Sequence, residues 1–302
     1  MKICENILNN QFLKIIMGKT HEKKVEDFYS AGLDRSDYKY DTGKERDGKF
    51  LSFGYWENDN ESYLEAAKRL LNFFIENSEV KKAEKILNVC CGYGSETFAY
   101  YEKFKPELIE GIDITKVEVD YANDKAKAFG VDKKVVFHHG DACSLDFPEN
   151  SFSHIFGIEG SANFNTRETF FKAAGKVLKK EGELILTDII LGKKFDEAKK
   201  FHNILVGFAS KGWVVPRANW VNEETYTKQL EDAGMKVVFL KKIGDKVFPG
   251  YADYCSRNKT FMEAKEDRGL FPAMGFVMIS RILGYLYKKG WIEYIYVKAK
   301  KY

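Results

Sequence analysis

The chain has 302 residues, of which 44% are hydrophobic and 31% are charged. This length and composition fit one large α/β domain, or one domain with a cap, and exclude a disordered chain. A net charge of only +3 argues against nucleic acid as the main partner. The five cysteines show no CxxC or Cys/His spacing, which favours free thiols in a reducing cytoplasm and predicts no metal site.

The first 80 residues predict an N-terminal helical cap. Residues 1–17 carry apolar side chains at helical spacing, and two more helices are expected at His21–Tyr29 and Glu61–Asn77. Between these helices, Phe50–Trp56 holds more aromatic residues than a solvent-exposed loop would. No signal-peptide pattern is present, and no apolar run approaches the roughly 18 residues of a membrane span. We therefore expect a cytoplasmic protein without an integral membrane segment, and peripheral membrane contact stays open.

A strand, a glycine turn and a helix start follow one another in Lys85–Ser95. This arrangement forms the nucleotide-binding corner of a doubly wound α/β sheet, because Gly92 and Gly94 let a ligand approach the backbone. The dinucleotide fingerprint lacks its third glycine, since Thr97 stands there, and the P-loop pattern is absent. The turn therefore predicts a nucleoside ligand without a pyrophosphate.

Acidic residues stand at the ends of the next two predicted strands. Asp113 ends the second strand, from where a carboxylate can accept hydrogen bonds from both ribose hydroxyls of a nucleoside. Gly140-Asp141-Ala142 follows the third strand, where a carboxylate and backbone N–H groups can bind the edge of an adenine. Three strand ends thus offer a turn, a ribose acid and a base-binding segment.

Strands and helices alternate through the middle of the chain, which predicts a parallel sheet with helices on both faces. Lys179–Gly182 is expected to be a basic helix end closed by glycine. Helices are then predicted at Lys193–Ser210 and Glu223–Ala233. A mostly helical stretch, 249–289, separates the last two strands, and its apolar segment Phe271–Leu286 fits either a core helix or a pocket roof. The predicted strands are Ile86–Val89, Leu108–Ile114, Val135–His139, Ser153–Ile158, Gly182–Ile190, Lys236–Ile243 and Ile292–Ala299.

As a set, these motifs resemble those of the class I S-adenosylmethionine-dependent methyltransferases. Leu51–Trp56 is more loosely similar to a segment of members that act on sterols, tocopherols and lipids, including the cyclopropane synthases. The matching stretches are Ile86–Gly94, Gly111–Ile114, Gly140–Ala142, Phe147–Phe152 and Val177–Gly182.

The resemblance implies a doubly wound, seven-stranded Rossmann-like sheet with its last strand antiparallel. It implies a helical cap over residues 1–80 and an α/β domain over 81–302 that binds S-adenosyl-L-methionine. A cap insertion is expected at about 245–290, between the last two strands. The implied cofactor contacts are Tyr55, Asn88, Cys90, Gly92, Gly94, Asp113, Ile114, Asp141, Ala142 and Glu159.

Two residues depart from the family's usual glycine-turn motif. Asn88 replaces an aspartate and keeps the hydrogen bonding without the charge, and Cys90 replaces the first glycine. Cysteine is a small, tolerable replacement there only if the backbone has a negative φ. Burial beside the turn is expected to leave the thiols of Cys90 and Cys91 inert. The two changes leave a non-catalytic cofactor-binding protein as an alternative to a working enzyme.

The loop after the fourth strand holds the predicted catalytic groups. Methyl transfer is an in-line displacement that needs a base only when the acceptor must lose a proton. Glu159 is the predicted catalytic or acceptor-orienting residue. Many relatives carry histidine where Asn163 stands, which weakens the case for a histidine base.

Aromatic residues in both caps are the remaining pocket candidates. We expect Tyr40, Tyr55 and Trp56 to line the sulfonium and Tyr251 and Tyr254, with Asp253, to line the acceptor pocket. An apolar cap rich in Met and Phe favours an amphipathic or lipid- or isoprenoid-like acceptor. A polar amine or sugar acceptor is the alternative, and an NAD(P)-dependent oxidoreductase fits the turn less well. The sequence leaves a homo-oligomer open.

Overall fold

The computed structural model describes residues 19–34, 49–58, 60–195, 204 and 214–302. The amphipathic stretch 1–17, Tyr40 and most of the helix predicted at 193–210 lie outside these residues.

A seven-stranded sheet forms the centre of the described chain. Its strands are β1 (Lys85–Val89), β2 (Leu108–Asp113), β3 (Val135–His139), β4 (Phe152–Ile158), β5 (Leu178–Leu191), β6 (Met235–Lys242) and β7 (Ile292–Lys301). They lie in the order β3-β2-β1-β4-β5-β7-β6. Strands β1 to β5 pair in parallel, and β7 runs antiparallel to both β5 and β6. The predicted fold class is confirmed, and the strand order reverses between β1 and β4.

Helices cover both faces of the sheet. They are α1 (His21–Asp34), α2 (Tyr63–Ser78), α3 (Ser95–Phe104), α4 (Lys116–Ala128), α5 (Arg167–Val177), α6 (Glu223–Asp232), α7 (Gly244–Ser256), α8 (Asn258–Arg268) and α9 (Leu270–Lys288). On one face, Phe74 of α2, Tyr100 of α3 and Ala122 of α4 join one apolar cluster. On the other face, Phe171 of α5 and Tyr226 of α6 join a second one. Together the two clusters bury the sheet on both sides, as a parallel sheet requires.

The junction between α5 and β5 corrects one sequence prediction. Helix α5 ends at Val177, and Leu178 is already extended, with φ −67° and ψ 139°. Phe152 pairs with Leu178 but His154 pairs with Glu183, so the residues between form an irregularity within β5. Lys179–Gly182 is therefore part of the strand and not the basic end of a helix.

Helices α7, α8 and α9 form the cap insertion (Gly244–Lys288) between β6 and β7. Val247 and Phe248 of α7 and Leu283 and Leu286 of α9 share an apolar cluster with Leu70 of α2. The insertion is thus packed onto the N-terminal part of the chain and not only onto the sheet.

Helix α9 is the one described helix that is long and apolar enough to cross a membrane, judged by length and composition alone. It has 19 residues and a mean hydropathy of 1.4. No segment of that kind is expected from the sequence. Only 22% of its apolar stretch is buried, so α9 is neither a full core helix nor solely a pocket roof.

The glycine turn between β1 and α3 depends on left-handed backbone at Gly92 and Gly94, whose φ angles are +48° and +81°. Gly94 precedes the first residue of α3, and a Cβ there would lie 2.6 Å from Cζ of Phe137. Both the φ angle and the close approach therefore require glycine at this position.

We expect Gly94→Ala to destabilise the protein by about 2 kcal/mol or more, because a left-handed alanine costs about 1–2 kcal/mol before the clash is counted. The matched control is Gly275→Ala in α9, where a Cβ meets nothing within 4 Å. There alanine should be neutral or stabilising by up to about 1 kcal/mol. Urea unfolding of both variants measures the difference, and equal effects would contradict the packing described for the turn.

Candidate active site

A cavity of about 480 Å³ lies at the carboxyl ends of the central strands, where the strand order reverses. Doubly wound sheets bind their ligands at this place. Most of the predicted cofactor contacts meet in its wall. Those that do are Cys90, Gly92, Asp113, Ile114, Asp141, Ala142 and Glu159.

Backbone N–H groups orient the two strand-end carboxylates. Oδ2 of Asp113 accepts a hydrogen bond from the N–H of Gly92 at 3.0 Å, and Oδ1 accepts one from Thr115 at 2.9 Å. Oδ1 of Asp141 accepts one from the N–H of Cys143 at 2.8 Å. Desolvation raises the pKa of Asp113, and the N–H groups of Thr115 and Gly92 oppose that rise. The hydrogen bond from Gly92 thus fixes the Asp113 carboxylate to the glycine turn.

Three predicted cofactor contacts, Tyr55, Asn88 and Gly94, are not among the residues that line the cavity. The Tyr55 ring stacks on Phe73 with centroids 5.2 Å apart. Nδ2 of Asn88 donates to Oγ1 of Thr97 at 2.8 Å, so the side chain ties β1 to α3 behind the turn. Gly94 approaches α4 and β3 and not the cavity. Each of these three groups is satisfied by packing or by bonds within the protein, and its contact with the cofactor stays a prediction.

Cys90 has a φ of +53°, so the condition for an unstrained cysteine at this position is not met. The family's usual glycine would adopt this left-handed conformation without strain, whereas a residue with a Cβ pays about 1–2 kcal/mol. The Cys90 side chain packs onto Gly160, where any Cβ would overlap it. Desolvation raises the pKa of the Cys90 and Cys91 thiols well above the usual value, so both stay protonated and inert, as expected.

Two further acidic residues in the cavity wall were not singled out from the sequence. Desolvation raises the pKa of Glu96 to about 7 and that of the buried Glu118 to about 9. The ammonium of Lys49, 4.9 Å from the ring centre of Tyr93 and 4.4 Å from that of Tyr121, opposes the shift at Glu118. Both acids stand in the first turn of a helix that follows a sheet strand, a signal that the sequence does carry. This end of the cavity suits a cationic ligand.

Glu159 fastens residues 49–56, here called the strap, to the sheet. The N–H of Phe53 donates to both carboxyl oxygens of Glu159, at 2.9 and 3.0 Å. The hydroxyl of Tyr294 lies 2.6 Å from Oε1 and 2.9 Å from Oγ1 of Thr187. Desolvation raises the pKa of Glu159 to about 8, so near neutral pH it holds a proton. Tyr294 on β7 was not expected from the sequence.

A buried ion pair holds the loop after β4. Nε of Arg167 lies 2.8 Å from Oδ2 of Asp188, and Nη2 donates to Oδ1 at 2.8 Å. Both side chains are almost completely buried. The hydroxyls of Ser161 and Tyr226 also donate to Oδ2, so the carboxylate has a full set of partners.

Asn219 extends this network to the loop's backbone. Its Nδ2 donates to the carbonyls of Ala162 and Phe164 at 2.8 and 2.7 Å, and its Oδ1 accepts from the N–H of Arg167 at 2.9 Å. The cavity wall at 159–166 is therefore set by contacts from α5, β5 and the turn at Arg217–Asn219.

Helix α1 places an imidazole over the same loop. Nε2 of His21 lies 2.7 Å from the carbonyl oxygen of Asn163, and both residues line the cavity. A carbonyl only accepts, so Nε2 carries the hydrogen and Nδ1 of the neutral ring keeps its lone pair. Position 163 lacks the histidine of many relatives, and His21 reaches that position from α1, which the sequence does not indicate. The contact joins residues 142 positions apart, which no local pattern indicates.

The other end of the cavity is apolar and aromatic. Tyr251 of α7 and Phe276 and Leu283 of α9 line it together with Val215 and Trp220. Tyr251 is thus where we predicted it.

Three of the other predicted pocket residues lie elsewhere. Trp56 and Tyr254 stack on each other with centroids 5.4 Å apart, and Asp253 pairs with Arg257 at 3.1 Å. Trp56 and Tyr254 are thus engaged in the contact between the N-terminal part and the cap insertion, whereas Asp253 pairs within the insertion. None of the three is among the residues that line the cavity.

The comparisons with known proteins agree with this site. A family profile described as a methyltransferase domain matches residues 86–182. The chain is 32% identical over 215 residues to the erythromycin 3''-O-methyltransferase of Saccharopolyspora erythraea, covering 70% of each protein.

Two solved structures share the fold at low identity. Geranyl diphosphate C-methyltransferase from Streptomyces coelicolor A3(2), in complex with Mg²⁺, geranyl diphosphate and S-adenosyl-L-homocysteine, aligns with a TM-score of 0.70 at 10% identity. That alignment covers 94% of this chain and 99% of the other. The cyclase SpnF aligns with a TM-score of 0.68 at 20% identity over 92% of this chain and 94% of its own.

The chain belongs to the S-adenosylmethionine-dependent methyltransferases, and S-adenosyl-L-methionine is its cofactor. The cavity wall fits that molecule, because a glycine turn and strand-end carboxylates suit a nucleoside and the buried acids suit a cation.

The raised pKa of Glu118 predicts how stability depends on pH. The folded pKa, about 9, lies above the unfolded value near 4.5, so the stabilising effect of protonation is lost as pH rises from 4.5 towards 9. One proton gives a slope of about 1.4 kcal/mol per pH unit. We expect Glu118→Gln to reduce this slope and to be the more stable protein at pH 8.5, by about 1 kcal/mol or more.

Guanidinium unfolding across pH 5 to 9 measures the effect. The exposed Glu107→Gln is the control and should follow the unmodified protein within about 0.5 kcal/mol at every pH. Parallel stability curves for the Glu118→Gln variant and the unmodified protein would rule out a buried, protonated carboxyl.

Proposed function

We propose that this methyltransferase acts on a small amphipathic acceptor with a lipid- or isoprenoid-like apolar part. The observation that supports it is the division of the cavity, which is acidic at the strand ends and aromatic and aliphatic beneath α7 and α9. An acceptor with a reactive polar group and an apolar body would match both ends. A polar amine or sugar alone would leave the apolar wall without a partner.

The acidic end is proposed to hold the cofactor. Asp113 would accept hydrogen bonds from the ribose, and Asp141 with the backbone of Ala142 would bind the adenine edge. The turn at Cys90 and Gly92 would face the amino-acid part, with Ile114 contributing an apolar wall. The arrangement of these residues around one cavity supports these roles.

When bound, S-adenosyl-L-methionine supplies a methyl group made electrophilic by the sulfonium. This chain's residues would orient the partners and exclude water. The strap is tied to Glu159 through Phe53, and its Lys49 N–H donates to Oγ of Ser95 at 2.8 Å. A closed, water-poor site favours a displacement in which charge is lost, and orientation alone can supply several kcal/mol.

Two residues are candidates for handling a proton. Glu159 is held by Phe53 and Tyr294, and desolvation raises its pKa to about 8, so we propose that it orients the strap and the acceptor and can exchange a proton near neutral pH. His21, with its Nε2 hydrogen bonded to Asn163, could accept a proton at Nδ1. This favours a hydroxyl acceptor, and the erythromycin relative is named as an O-methyltransferase.

Carbon methylation is the second candidate reaction. The apolar end formed by Phe276, Leu283 and Val215 favours it, and the geranyl diphosphate neighbour is named as a C-methyltransferase. The fold alone does not decide, since SpnF is a cyclase with the same architecture.

We also propose that the N-terminal cap ends near residue 80, just before β1, and that the protein is cytoplasmic. The free thiols of Cys90, Cys91, Cys143 and Cys255 support a reducing compartment. A homo-oligomer stays a prediction.

We expect Asp113→Ala to weaken S-adenosylhomocysteine binding by about 10- to 100-fold, the loss for hydrogen bonds to a charged group. Isothermal titration calorimetry measures it, and circular dichroism confirms that the variant is folded. Asp120→Ala on the exposed face of α4 is the matched control and should bind normally. Unchanged affinity in Asp113→Ala would remove the carboxylate from the proposed ribose site.

The acceptor class is tested by supplying methyl-labelled S-adenosylmethionine with a hydroxylated macrolide, a sterol, geranyl diphosphate and sarcosine. Mass spectrometry of the products should show methyl transfer to at least one amphipathic compound and none to sarcosine. The Asp113→Ala variant, which should bind the cofactor more weakly, is expected to transfer less at limiting S-adenosylmethionine. Transfer to sarcosine alone would contradict an apolar acceptor, and cofactor binding without any transfer would favour a non-catalytic role.

With an acceptor that carries a hydroxyl, His21→Ala should lower kcat by about 100-fold, with little change in the KM for the cofactor. Added imidazole should restore part of the rate. Lys23→Ala is the control on the same helix, since the exposed Lys23 pairs with Glu26 and Asp27 and is not among the residues that line the cavity. If both variants lose the same amount of kcat and imidazole restores none of it, His21 is not the base and only contributes a contact that closes the site.

A further inference from the structure

One side of α9 carries a row of apolar side chains that face solvent. Phe271 is 83% exposed, and Leu270, Met274, Met278 and Tyr285 are each about half exposed. At 3.6 residues per turn these five positions fall within an arc of about 100° on the helix. A row of large apolar side chains on one face marks a contact surface, whereas single exposed ones do not.

The row continues into a shallow groove between α8 and α9. Phe261 of α8 and Met274, Met278 and Tyr285 of α9 line it, with Arg281 at its side. Methionine-rich apolar surfaces adapt to partners of variable shape. The groove thus enlarges the apolar surface beyond α9 itself.

The charge on α9 itself has one sign. Helix α9 contains no acidic residue, and its charged side chains are Arg281 and Lys288, followed by Lys289. Nε of Arg281 donates to Oγ of Ser256 at 2.9 Å, which holds the guanidinium beside the row. Helix α8 carries three acidic and three basic residues, so it leaves the net positive charge of α9 unchanged. An apolar row flanked by cations complements a surface of anionic headgroups over hydrocarbon.

The opposite side of the same helix reaches the cavity. Phe276 and Leu283 line the apolar end of the cavity, and Leu283 also packs against α7. Because α9 is one helix thick, its exposed row lies about 10 Å from that wall. A surface bound to the row would therefore lie next to the cavity.

We propose that the exposed row of α9 docks this protein onto anionic phospholipid membranes. Phe271, Met274 and Met278 would enter the boundary between headgroups and acyl chains, and Arg281 and Lys288 would contact the headgroups. The helix would lie in the plane of the surface and would not span the bilayer, since its other side is packed on α7. The cap insertion is thus a membrane contact as well as part of the cavity wall.

The test is co-sedimentation of the full chain with vesicles of phosphatidylcholine alone or of phosphatidylcholine mixed with phosphatidylglycerol. Binding to the mixed vesicles should be stronger and should fall with added salt. Phe271→Ser combined with Met278→Ser should weaken it by about tenfold or more. Arg281→Glu combined with Lys288→Glu should abolish the preference for the anionic vesicles. The matched control, Phe129→Ser with Val238→Ser, also removes two exposed apolar side chains and should bind normally.

Calorimetry with S-adenosylhomocysteine shows that each variant is folded, so a loss of vesicle binding cannot be assigned to unfolding. Equal binding by the two serine pairs, or no binding to either vesicle, overturns the proposal. Light scattering that shows a dimer dissociated by the Phe271 and Met278 substitutions also overturns it, because the row would then join two copies. The test needs no acceptor, so its failure leaves the proposed function standing.

Discussion

The ion pair between Arg167 and Asp188 is the interaction on which the active-site wall depends. It joins the first residue of α5 to the end of β5, and through Asn219 it fixes the loop after β4. Taking two charges out of water costs several kcal/mol, which good geometry and additional hydrogen bonds must offset. Ser161 and Tyr226 supply those bonds. The conformation of the loop that carries Glu159 is thus fixed by a buried network of residues from other parts of the chain.

The cavity has an acidic end and an apolar end, which respond differently to the loss of charge from the cofactor. Glu96 and Glu118 are desolvated acids, so they gain from a positive charge placed beside them. That attraction weakens once the sulfonium has lost its charge, since Coulomb energy depends on both partners. An acidic end of this kind would favour the charged cofactor over its product, whereas the apolar end would not respond to the change in charge.

Local sequence predicted the parts of the site that are local. Asp113 and Asp141 stand at strand ends, and the alternation of strands and helices placed those ends together. His21 and Tyr294 could not be found in that way, because they reach Asn163 and Glu159 across 142 and 135 residues. Tyr55 lies outside the cavity wall for the reverse reason: its aromatic neighbours suggested a pocket, but its ring stacks on Phe73 of α2. Tertiary partners decide such residues, and a single sequence does not show them.

The close packing of Cys90 on Gly160 means that the residue at one position limits which residues the other can accept. A Cβ at position 160 would overlap the cysteine side chain, so the two sites cannot both carry side chains. With glycine at 90, as is usual in the family, that obstacle to a side chain at 160 disappears. Substitutions at these positions are therefore order-dependent: a lineage must empty one site before it fills the other. In this chain the Cys90 side chain occupies the shared space, and position 160 is therefore glycine.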